Sequence, residues 1–404
     1  MSNKKKRWVL FRHRVVKWLL RGVLAIVCRV LYRVKLPRFR GQKGRQFLVL
    51  MNHQTPFDQF FVSVTFKAPV YFVGTEDIFS LGFLSKALKF LVAPIPIKKQ
   101  TADMAAVMNC LRVAREGGTI AMAPEGNRTY TGRTEYMNPA VAPLARKLGL
   151  PIALYRIEGG YGVQPRWANT RRRGKMRAYV SRVIEPEEVK GLTDEALAER
   201  IRAELFVDDR EETGRYRHRK KAEFLERAVY VCPFCGLSRF ESRGDLCRCE
   251  RCGREVRYTE RLTVEGVGFD FPFSSVAEWY DYQCQYIAEL DTQADAEKPF
   301  YSDEVRLSEV ILYERKQLIA KRATAVLYGD RICISSHADG TLVLPFTEIS
   351  AISALGRKKI NIYFGKRVYQ LGGGERFCGL KYVNFYYRYR SISKGEEHGI
   401  FLGL

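Results

Sequence analysis

The sequence predicts an α/β domain preceded by an amphipathic helix, followed by a small cysteine-rich domain and a β-rich C-terminal domain. Between residues 45 and 205, short apolar runs alternate with helical segments, which is the pattern of an α/β fold. Five of the ten cysteines lie between residues 232 and 252. From residue 301, short strands with glycine-containing turns lead to an amphipathic helix at about residues 376–390. A chain of 404 residues is long enough for several domains.

Residues 1–44 predict a basic membrane-interface region built around one helix at residues 8–35. The first 50 residues contain six lysines, nine arginines and no acidic residue, so they carry +15 of the net charge of +24. Basic side chains share one side of the helix and apolar side chains the other: Arg7, Arg14, Lys17 and Arg21 against Val15, Leu19, Val23, Ile26 and Val30. An anionic membrane surface is therefore the expected partner. The alternative is a helix that packs in the core with its charges in solvent.

Composition also narrows the possible partners and the cellular compartment of the chain. No run reaches the roughly 18 consecutive apolar residues that a membrane-spanning helix needs. Nucleic acid is not an expected partner, because the excess positive charge is N-terminal and residues 229–300 are not strongly basic. The clustered cysteines are typical of a metal site rather than of disulfides, which indicates a reducing, cytosolic compartment.

The α/β domain is predicted from its apolar runs. The expected strands are residues 47–51, 69–73, 119–123, 151–157 and 176–184, and the expected helices include residues 101–116 and 138–148. Residues 206–228 are dense in charge and predict a linker or a solvated helix.

The first predicted strand runs directly into the segment NHQTPFD, residues 52–58. On a continuous helix, His53 and Asp58 would point about 140° apart. Pro56 interrupts such a helix, so His53 stays on the loop and can fold back to within hydrogen-bond distance of Asp58. The alternative is a capping box with Thr55 as N-cap, Pro56 as the first helical residue and Asp58 at the third position. That arrangement needs no catalysis.

A second segment, APEGNRTYTG at residues 123–132, also follows a predicted strand. Gly126 permits close backbone approach, and the planar fork of Arg128 suits a phosphate. A surface turn with a Glu125–Arg128 ion pair is the alternative.

A third segment, APIPIKKQ at residues 93–100, ends an extended apolar stretch with Lys98 and Lys99. Two adjacent ammonium groups at this point can meet an anion. A solvated strand end explains them equally well.

Taken together and in their order along the chain, the three segments resemble the conserved blocks of the glycerolipid acyltransferases, the family of the lysophosphatidic acid acyltransferases. His53 to Asp58 matches the H-x4-D block, and residues 124–128 match the P-E-G-T-R-S block. Residues 93–99 and 150–154 are similar to the remaining two blocks. The resemblance covers about residues 10–205.

Four positions depart from the family pattern. Lys99 stands in place of an arginine, Asn127 in place of threonine, Thr129 in place of serine, and Leu154 in place of the second proline of the V-P-x-x-P block. The exchange at residue 99 keeps the charge and loses the planar fork. These departures bear on the acceptor head group more than on the reaction.

The resemblance implies an acyl transfer with His53 as general base. The imidazole would take a proton from a glycerol hydroxyl as that hydroxyl attacks an acyl thioester, and Asp58 would hold the other ring nitrogen. The residues that would bind the acceptor are Glu125, Gly126, Arg128, Lys98 and Lys99. The implied acceptor is a lysophospholipid, foremost 1-acyl-sn-glycerol-3-phosphate, and the implied donor is acyl-CoA or acyl-carrier protein. We expect a peripheral, monotopic bacterial protein at the cytoplasmic face of the cell membrane.

A competing hypothesis is a non-enzymatic module in which an acyltransferase-like domain anchors the cysteine-rich domain to a membrane or another protein. An inactive fold should have lost the histidine–aspartate pair, whereas this sequence retains His53 and Asp58. An acyltransferase for a different lysolipid acceptor is a further alternative.

The cysteine cluster predicts a structural zinc site. Cys232, Cys235, Cys249 and Cys252 form two C-x2-C pairs, a spacing suited to tetrahedral Zn²⁺ with four thiolate ligands. Cys247 is a spare that could compete for the metal. Free buried cysteines are the alternative. Residues 229–300 resemble a zinc ribbon, and the role expected for the metal is structural.

Residues 301–404 weakly resemble a pleckstrin-homology-like barrel. Basic side chains flank two of the predicted strands and could meet lipid head groups: Arg357, Lys358, Lys359, Lys366 and Arg367. A plain structural barrel is equally compatible with this pattern.

Overall fold

The computed structural model describes residues 7–42, 44–80, 82–97, 103–210, 214–292, 297–311, 316–336 and 340–394. The chain divides into two compact units. The first comprises Met1–Val163 and Arg173–Gly214, and the second comprises Gln164–Arg172 and Arg215–Leu404. The limit between Gly214 and Arg215 lies within the predicted linker at residues 206–228. In addition, the chain leaves the first unit after Val163 and returns to it at Arg173, an excursion that the sequence did not predict.

The first unit is a mixed α/β domain with an N-terminal helix, which confirms the predicted fold class. Its helices are α1 (Phe11–Tyr32), α2 (Asp58–Thr65), α3 (Phe83–Leu91), α4 (Met104–Arg115), α5 (Val141–Leu148), α6 (Gly160–Val163), α7 (Pro186–Lys190) and α8 (Asp194–Leu205). Its strands are β1 (Val34–Lys35), β2 (Leu48–Met51), β3 (Val70–Thr75), β4 (Ile95–Ile97), β5 (Thr119–Met122), β6 (Ile152–Glu158) and β7 (Met176–Ile184). A 3-10 turn, Glu76–Ser80, precedes α3.

The strands form one sheet in the order β1-β7-β6-β2-β5-β3-β4. The five strands from β6 to β4 are parallel, whereas β7 pairs with β6 in the antiparallel direction. Strand β2 is central, and its Leu50 pairs with Met122 of β5 and Leu154 of β6. Parallel strands end at the same edge of a sheet, so the segments that follow β2, β5 and β6 lie side by side.

Helix α1 packs through its basic side and exposes its apolar side. The Lys17 ammonium is buried and donates to Ser63 Oγ at 2.9 Å, and Arg21 Nε donates to the carbonyl of Val64 at 3.0 Å. Burial lowers the pKa of Lys17 to about 7. The predicted basic stripe is therefore divided, because these long side chains find acceptors on α2 while Arg14 stays exposed.

The apolar side of α1 faces solvent in the first unit. Trp18 is 79% exposed and Val30 is 70% exposed, and Leu19, Val23 and Ile26 are exposed as well. The alternative of a core-packing helix is thus wrong for this face. Among the described residues, no helix combines the length and apolarity that crossing a bilayer requires.

The charged segment 206–228 contains buried side chains where a linker or solvated helix was expected. Val207 and Asp209 are buried in the first unit, and Tyr216 and Leu225 are buried in the second. The segment also contains no α-helix among its described residues. The charged composition of the segment gave no indication of these contacts, which involve most of its few apolar residues, although Phe206 is 41% exposed.

The second unit is β-rich. Its strands are β8 (Val231–Cys232), β9 (Gly236–Leu237), β10 (Phe240–Arg243), β11 (Leu246–Cys249), β12 (Glu255–Tyr258), β13 (Val264–Gly266), β14 (Tyr301–Glu309), β15 (Gln317–Leu327), β16 (Arg331–Ser336), β17 (Gly340–Pro345), β18 (Ile349–Leu355), β19 (Lys359–Phe364) and β20 (Arg367–Gly373). Its α-helices are α9 (Val276–Glu289) and α10 (Leu380–Lys394), and a 3-10 turn spans Leu225–Arg227.

Strands β14–β20 form one antiparallel, curled sheet in the order β17-β16-β15-β14-β20-β19-β18. Helix α10 packs against it: Tyr386 donates to the carbonyl of Ile349, and Tyr382 donates to Asp303, both at 2.7 Å. The β-rich C-terminal domain closed by a helix is thereby confirmed. Of the predicted lipid-contacting residues, Lys358 pairs with Glu375.

Candidate active site

The site lies where β2, β5 and β6 end. The segment after β2 contains His53, the segment after β5 contains Glu125, and the segment after β6 contains Gly159 and Gly160. Asn52 fixes the first of these positions, because its side-chain amide makes two 2.8 Å hydrogen bonds with the backbone of Ile157 in β6. This buried amide continues the sheet pairing past the end of β2.

The structure brings His53 and Asp58 together. His53 Nδ1 lies 2.7 Å from Asp58 Oδ2. The imidazole is 24% exposed, whereas the carboxylate is completely buried. Helix α2 begins at Asp58, so residues 52–57 form a loop before the helix. This loop brings His53 back to Asp58, as the position of Pro56 predicts. A carboxylate at Nδ1 favours the tautomer with its basic lone pair on Nε2.

Asp58 also holds the turn that precedes α2, but the alternative, a capping box with Thr55 as N-cap, is not formed as predicted. Its Oδ1 accepts from the Thr55 hydroxyl at 2.6 Å and its Oδ2 accepts from the Gln54 amide at 2.8 Å. The N-cap position is Phe57, and its amide donates to Thr55 Oγ1 at 3.1 Å. The carboxylate of Asp58 has enough lone pairs to hold both this turn and the imidazole of His53.

The segment after β5 holds the backbone of His53 on both sides. Glu125 Oε1 accepts from the His53 amide at 2.7 Å, and the Thr129 amide donates to the His53 carbonyl at 3.0 Å. Glu125 Oε2 accepts from the Glu135 amide at 3.1 Å. Burial raises the pKa of Glu125 well above its usual range, although its backbone donors oppose this shift. The carboxyl group of Glu125 therefore supports the loop that carries His53.

The remaining predicted acceptor-binding residues differ in their exposure and in whether the structure describes them. Gly126 is exposed and has a φ of +66°, which a residue with a side chain adopts only with strain. Arg128 is half-buried and directly precedes Thr129, which is bonded to the His53 carbonyl. Lys98 and Lys99 lie outside the described residues.

Sequence reasoning missed Gln54 and Asp209. The Gln54 side chain is buried, accepts from the Gly160 amide at 2.7 Å and donates to Asp209 Oδ1 at 3.2 Å. Asp209 is also buried, and burial raises its pKa to about 7 against the effect of its N–H donors. The glycine-rich segment 159–162 was the signal in the sequence that could have indicated this network, since glycine allows other groups to pack closely against the backbone.

We expect Gly160→Ala to lower turnover by about 100-fold, because a 1 Å displacement at an active site can cost that much. A Cβ at residue 160 would lie 2.6 Å from Gln54 Oε1 and 2.9 Å from Thr55 Cγ2. Steady-state kinetics measure the loss. Gly191→Ala is the matched control, because its Cβ would meet nothing closer than 3.7 Å. Equal activity of both variants would contradict the placement of Gln54.

The second unit brings the four predicted cysteine ligands together. The Sγ atoms of Cys232, Cys235, Cys249 and Cys252 all lie within 4.8 Å of one another. The Cys232–Cys252 distance is 3.7 Å and the Cys235–Cys249 distance is 3.6 Å. Tetrahedral coordination by four thiolates requires S–S distances of about 3.8 Å, so the group fits a metal ion. Cys247 is buried on β11 and is not a member of this group.

Comparison with known proteins finds relatives of part of the first unit. Residues 33–157 match the family model described as Acyltransferase. A curated 1-acyl-sn-glycerol-3-phosphate acyltransferase of Borreliella burgdorferi is 25% identical over 118 residues, which are 28% of this chain. The match spans about half of that relative, 47% of its length.

Two solved structures are also similar. The crystal structure of the 1-acyl-sn-glycerophosphate acyltransferase PlsC from Thermotoga maritima has 21% identity and a TM-score of 0.39, and covers 50% of this chain and 82% of that chain. The Vps36 N-terminal PH domain has 18% identity and a TM-score of 0.21, and covers 24% of this chain and 83% of that chain. The matched acyltransferase model includes the His53–Asp58 pair and the loop that holds it. The chain thus contains, at residues 33–157, a region that is similar to the acyltransferases.

Proposed function

We propose that this protein transfers a fatty acyl chain from an acyl thioester to the free hydroxyl of a lysophospholipid. The observation that carries the proposal is the 2.7 Å contact between His53 Nδ1 and Asp58, on a loop held by the PEGNR segment at residues 124–128. The family points to 1-acyl-sn-glycerol-3-phosphate as acceptor and to acyl-CoA or acyl-carrier protein as donor.

The geometry of the His53–Asp58 pair supports the following reaction. His53 Nε2 takes the proton of the acceptor hydroxyl while its oxygen attacks the thioester carbonyl and forms the new C–O bond. The buried carboxylate of Asp58 stabilises the imidazolium. The C–S bond then breaks, and the departing thiolate takes the proton from Nε2. The products are an ester and a free thiol, and His53 returns to its starting state.

The anionic part of the acceptor needs a cation near His53. Arg128 supplies a guanidinium close to His53 in the chain fold, because the next residue, Thr129, donates its backbone amide to the His53 carbonyl. Bidentate pairing of an arginine with a phosphate gives both charge and orientation. Lys98 and Lys99 are proposed to assist.

A panel of lysolipids tests this function. Purified protein is incubated with lysophosphatidic acid, its glycerol-phosphodiester analogues and non-phosphorylated monoacylglycerol, each with acyl-CoA or acyl-carrier protein as donor. We expect diacyl product by mass spectrometry, with preference for the phosphate monoester. No product with any pair, together with tight lipid or protein binding, would favour the non-enzymatic alternative.

We also propose that the first unit binds an anionic membrane peripherally, at the cytoplasmic face. The apolar side of α1 is exposed, and α3 beside it exposes Phe83, Leu84 and Phe90. The two helices are joined by Arg12, whose Nε donates to the carbonyl of Phe90 at 3.0 Å. Exposed Arg14 and Arg29 add positive charge, and residues 1–50 contain no acidic residue. Apolar area together with basic charge is what holds a helix in the interface.

The double variant Trp18→Glu/Ile26→Glu should bind phosphatidylglycerol-containing vesicles at least tenfold more weakly, because each buried apolar side chain contributes about 1.5–3 kcal/mol. Vesicle sedimentation measures the binding. Val343→Glu, at an exposed apolar position in the second unit, is the control. Undiminished sedimentation of the double variant would contradict the proposed surface.

The metal proposed for the cysteine cluster is Zn²⁺. Four thiolates fill a tetrahedral site and leave no position for water, so the ion would stabilise the fold and take no part in acyl transfer. The thiolates require a reducing compartment, which agrees with the proposed cytoplasmic location.

A further inference from the structure

Asp209 lies outside the part of the chain that matches the acyltransferase model, yet it is bonded to the segments around the site. It is completely buried. Its Oδ1 accepts from the Gly159 amide at 2.8 Å, and its Oδ2 accepts from the Gly162 amide at 3.1 Å. Asp209 Oδ1 also accepts from Gln54 Nε2 at 3.2 Å. One carboxylate thus holds the glycine turn after β6 and the residue that follows His53.

Gln54 continues this network into the catalytic pair. Its side-chain oxygen accepts from the Gly160 amide, and its backbone amide donates to Asp58 Oδ2 at 2.8 Å. The same Asp58 oxygen contacts His53 Nδ1. A shift of Gln54 would therefore move a donor to the carboxylate that orients the imidazole.

The segment that carries Asp209 also supports the other side of the site. The Asp209 amide donates to the Gly132 carbonyl at 3.1 Å, and the Thr134 amide donates to the Val207 carbonyl at 2.8 Å. These bonds hold the loop that continues from the PEGNR segment. Residues 207–209 thus contact both the glycine turn after β6 and the loop that continues from the PEGNR segment, although they are distant from both in the sequence.

We propose that Asp209 is a positioning residue for acyl transfer, which acts through Gln54 on the His53–Asp58 pair. This inference rests on the proposed function. Asp209 touches no reacting atom, so its effect is on the placement of the imidazole and not on the binding of the acceptor.

Asp209→Asn tests the inference, because an asparagine side chain has the same shape as an aspartate side chain. Its NH₂ group would replace one carboxylate oxygen, and this donor would face a backbone N–H that now has no acceptor. We expect kcat to fall by about 10- to 100-fold with the acceptor KM little changed. Asp208→Asn is the matched control, since the Asp208 carboxylate pairs with Arg210 and not with Gln54. The control should keep kcat within about twofold of wild type.

A double-mutant cycle separates positioning from general stability. If Asp209 acts through Gln54, Asp209→Asn should cause little further loss of kcat in a Gln54→Ala background. Multiplicative losses, or a lowered melting temperature with kcat unchanged, would overturn the proposal. If Asp209→Asn does not fold, Gln54→Asn tests the same link from the other side, and wild-type kcat in that variant would overturn it.

NMR spectra of the histidine rings distinguish failure of this inference from failure of the proposed function. The chain has five histidines, and His53→Ala assigns the His53 signal. We expect that signal to shift in Asp209→Asn, or in Gln54→Asn if the former does not fold, and to stay in place in Asp208→Asn. If wild-type protein acylates no lysolipid, the proposed function fails, and the His53 signal still decides whether Asp209 positions the ring. An unmoved signal would overturn the positioning role.

Discussion

His53→Ala should lower kcat for acyl transfer by about 10²–10⁴-fold, the usual contribution of a general base. The imidazole is the group that contacts Asp58 at 2.7 Å, and it remains 24% exposed to solvent. Without it, the acceptor hydroxyl must lose its proton to water as it attacks the thioester. Product formation under saturating acceptor and donor measures the loss.

The fold of this variant should remain intact. The His53 position is held through its backbone amide and carbonyl, which the alanine keeps. The melting temperature should therefore stay close to that of the wild type. His218→Ala, at a half-buried histidine of the second unit, is the control and should retain full turnover. Equal product from His53→Ala and wild type would show that the assigned chemistry is wrong.

Removing the metal from the cysteine cluster should unfold the surrounding strands. Strands β8–β13 have two to four residues each, too short to be stable without an additional constraint. Binding of a structural zinc contributes about 10–16 kcal/mol at neutral pH, more than most domains have as net stability. Cys235→Ser, or a strong chelator, should abolish protection from hydrogen exchange across residues 231–258.

Metal analysis and a neighbouring cysteine check this expectation. Wild-type protein should contain one zinc per chain, and Cys247→Ser should keep it, because Cys247 is outside the group of four. Fewer than about half an equivalent in unchelated wild-type protein would contradict the site. Loss of zinc from Cys247→Ser would instead show that the spare cysteine is a ligand.

Local sequence patterns were sufficient for the fold class and for the approach of His53 to Asp58. The predicted strand at residues 176–184 has the same bounds in the structure, because the segment is rich in β-branched and aromatic residues: Tyr179, Val180, Val183 and Ile184. The histidine–aspartate contact was predictable because Pro56 lies between the two residues. In both cases the determining residues are close together in the sequence.

Contacts between distant residues were not predictable in the same way. Gln54 and Asp209 are 155 residues apart, and the aspartate lies in a segment whose charge predicts solvent exposure. Lys17 belongs to a basic stripe that should face outward, yet Ser63 of α2 accepts its hydrogen bond. A helical wheel shows which residues share a side, but the partner helix decides which side is buried.

The path of the chain through residues 164–172 determines how this protein can be divided. Trp167 and Ala168 are fully buried in the second unit, although the chain enters and leaves that unit from the first. A fragment that ends at residue 205 would expose both side chains and would lack Asp209. A fragment that begins at residue 215 would lack the Trp167 carbonyl, which accepts from the buried guanidinium of Arg227 at 2.6 Å. Exchange of the C-terminal half between relatives therefore requires matched changes at two places in the gene, because no single fusion point preserves both cores.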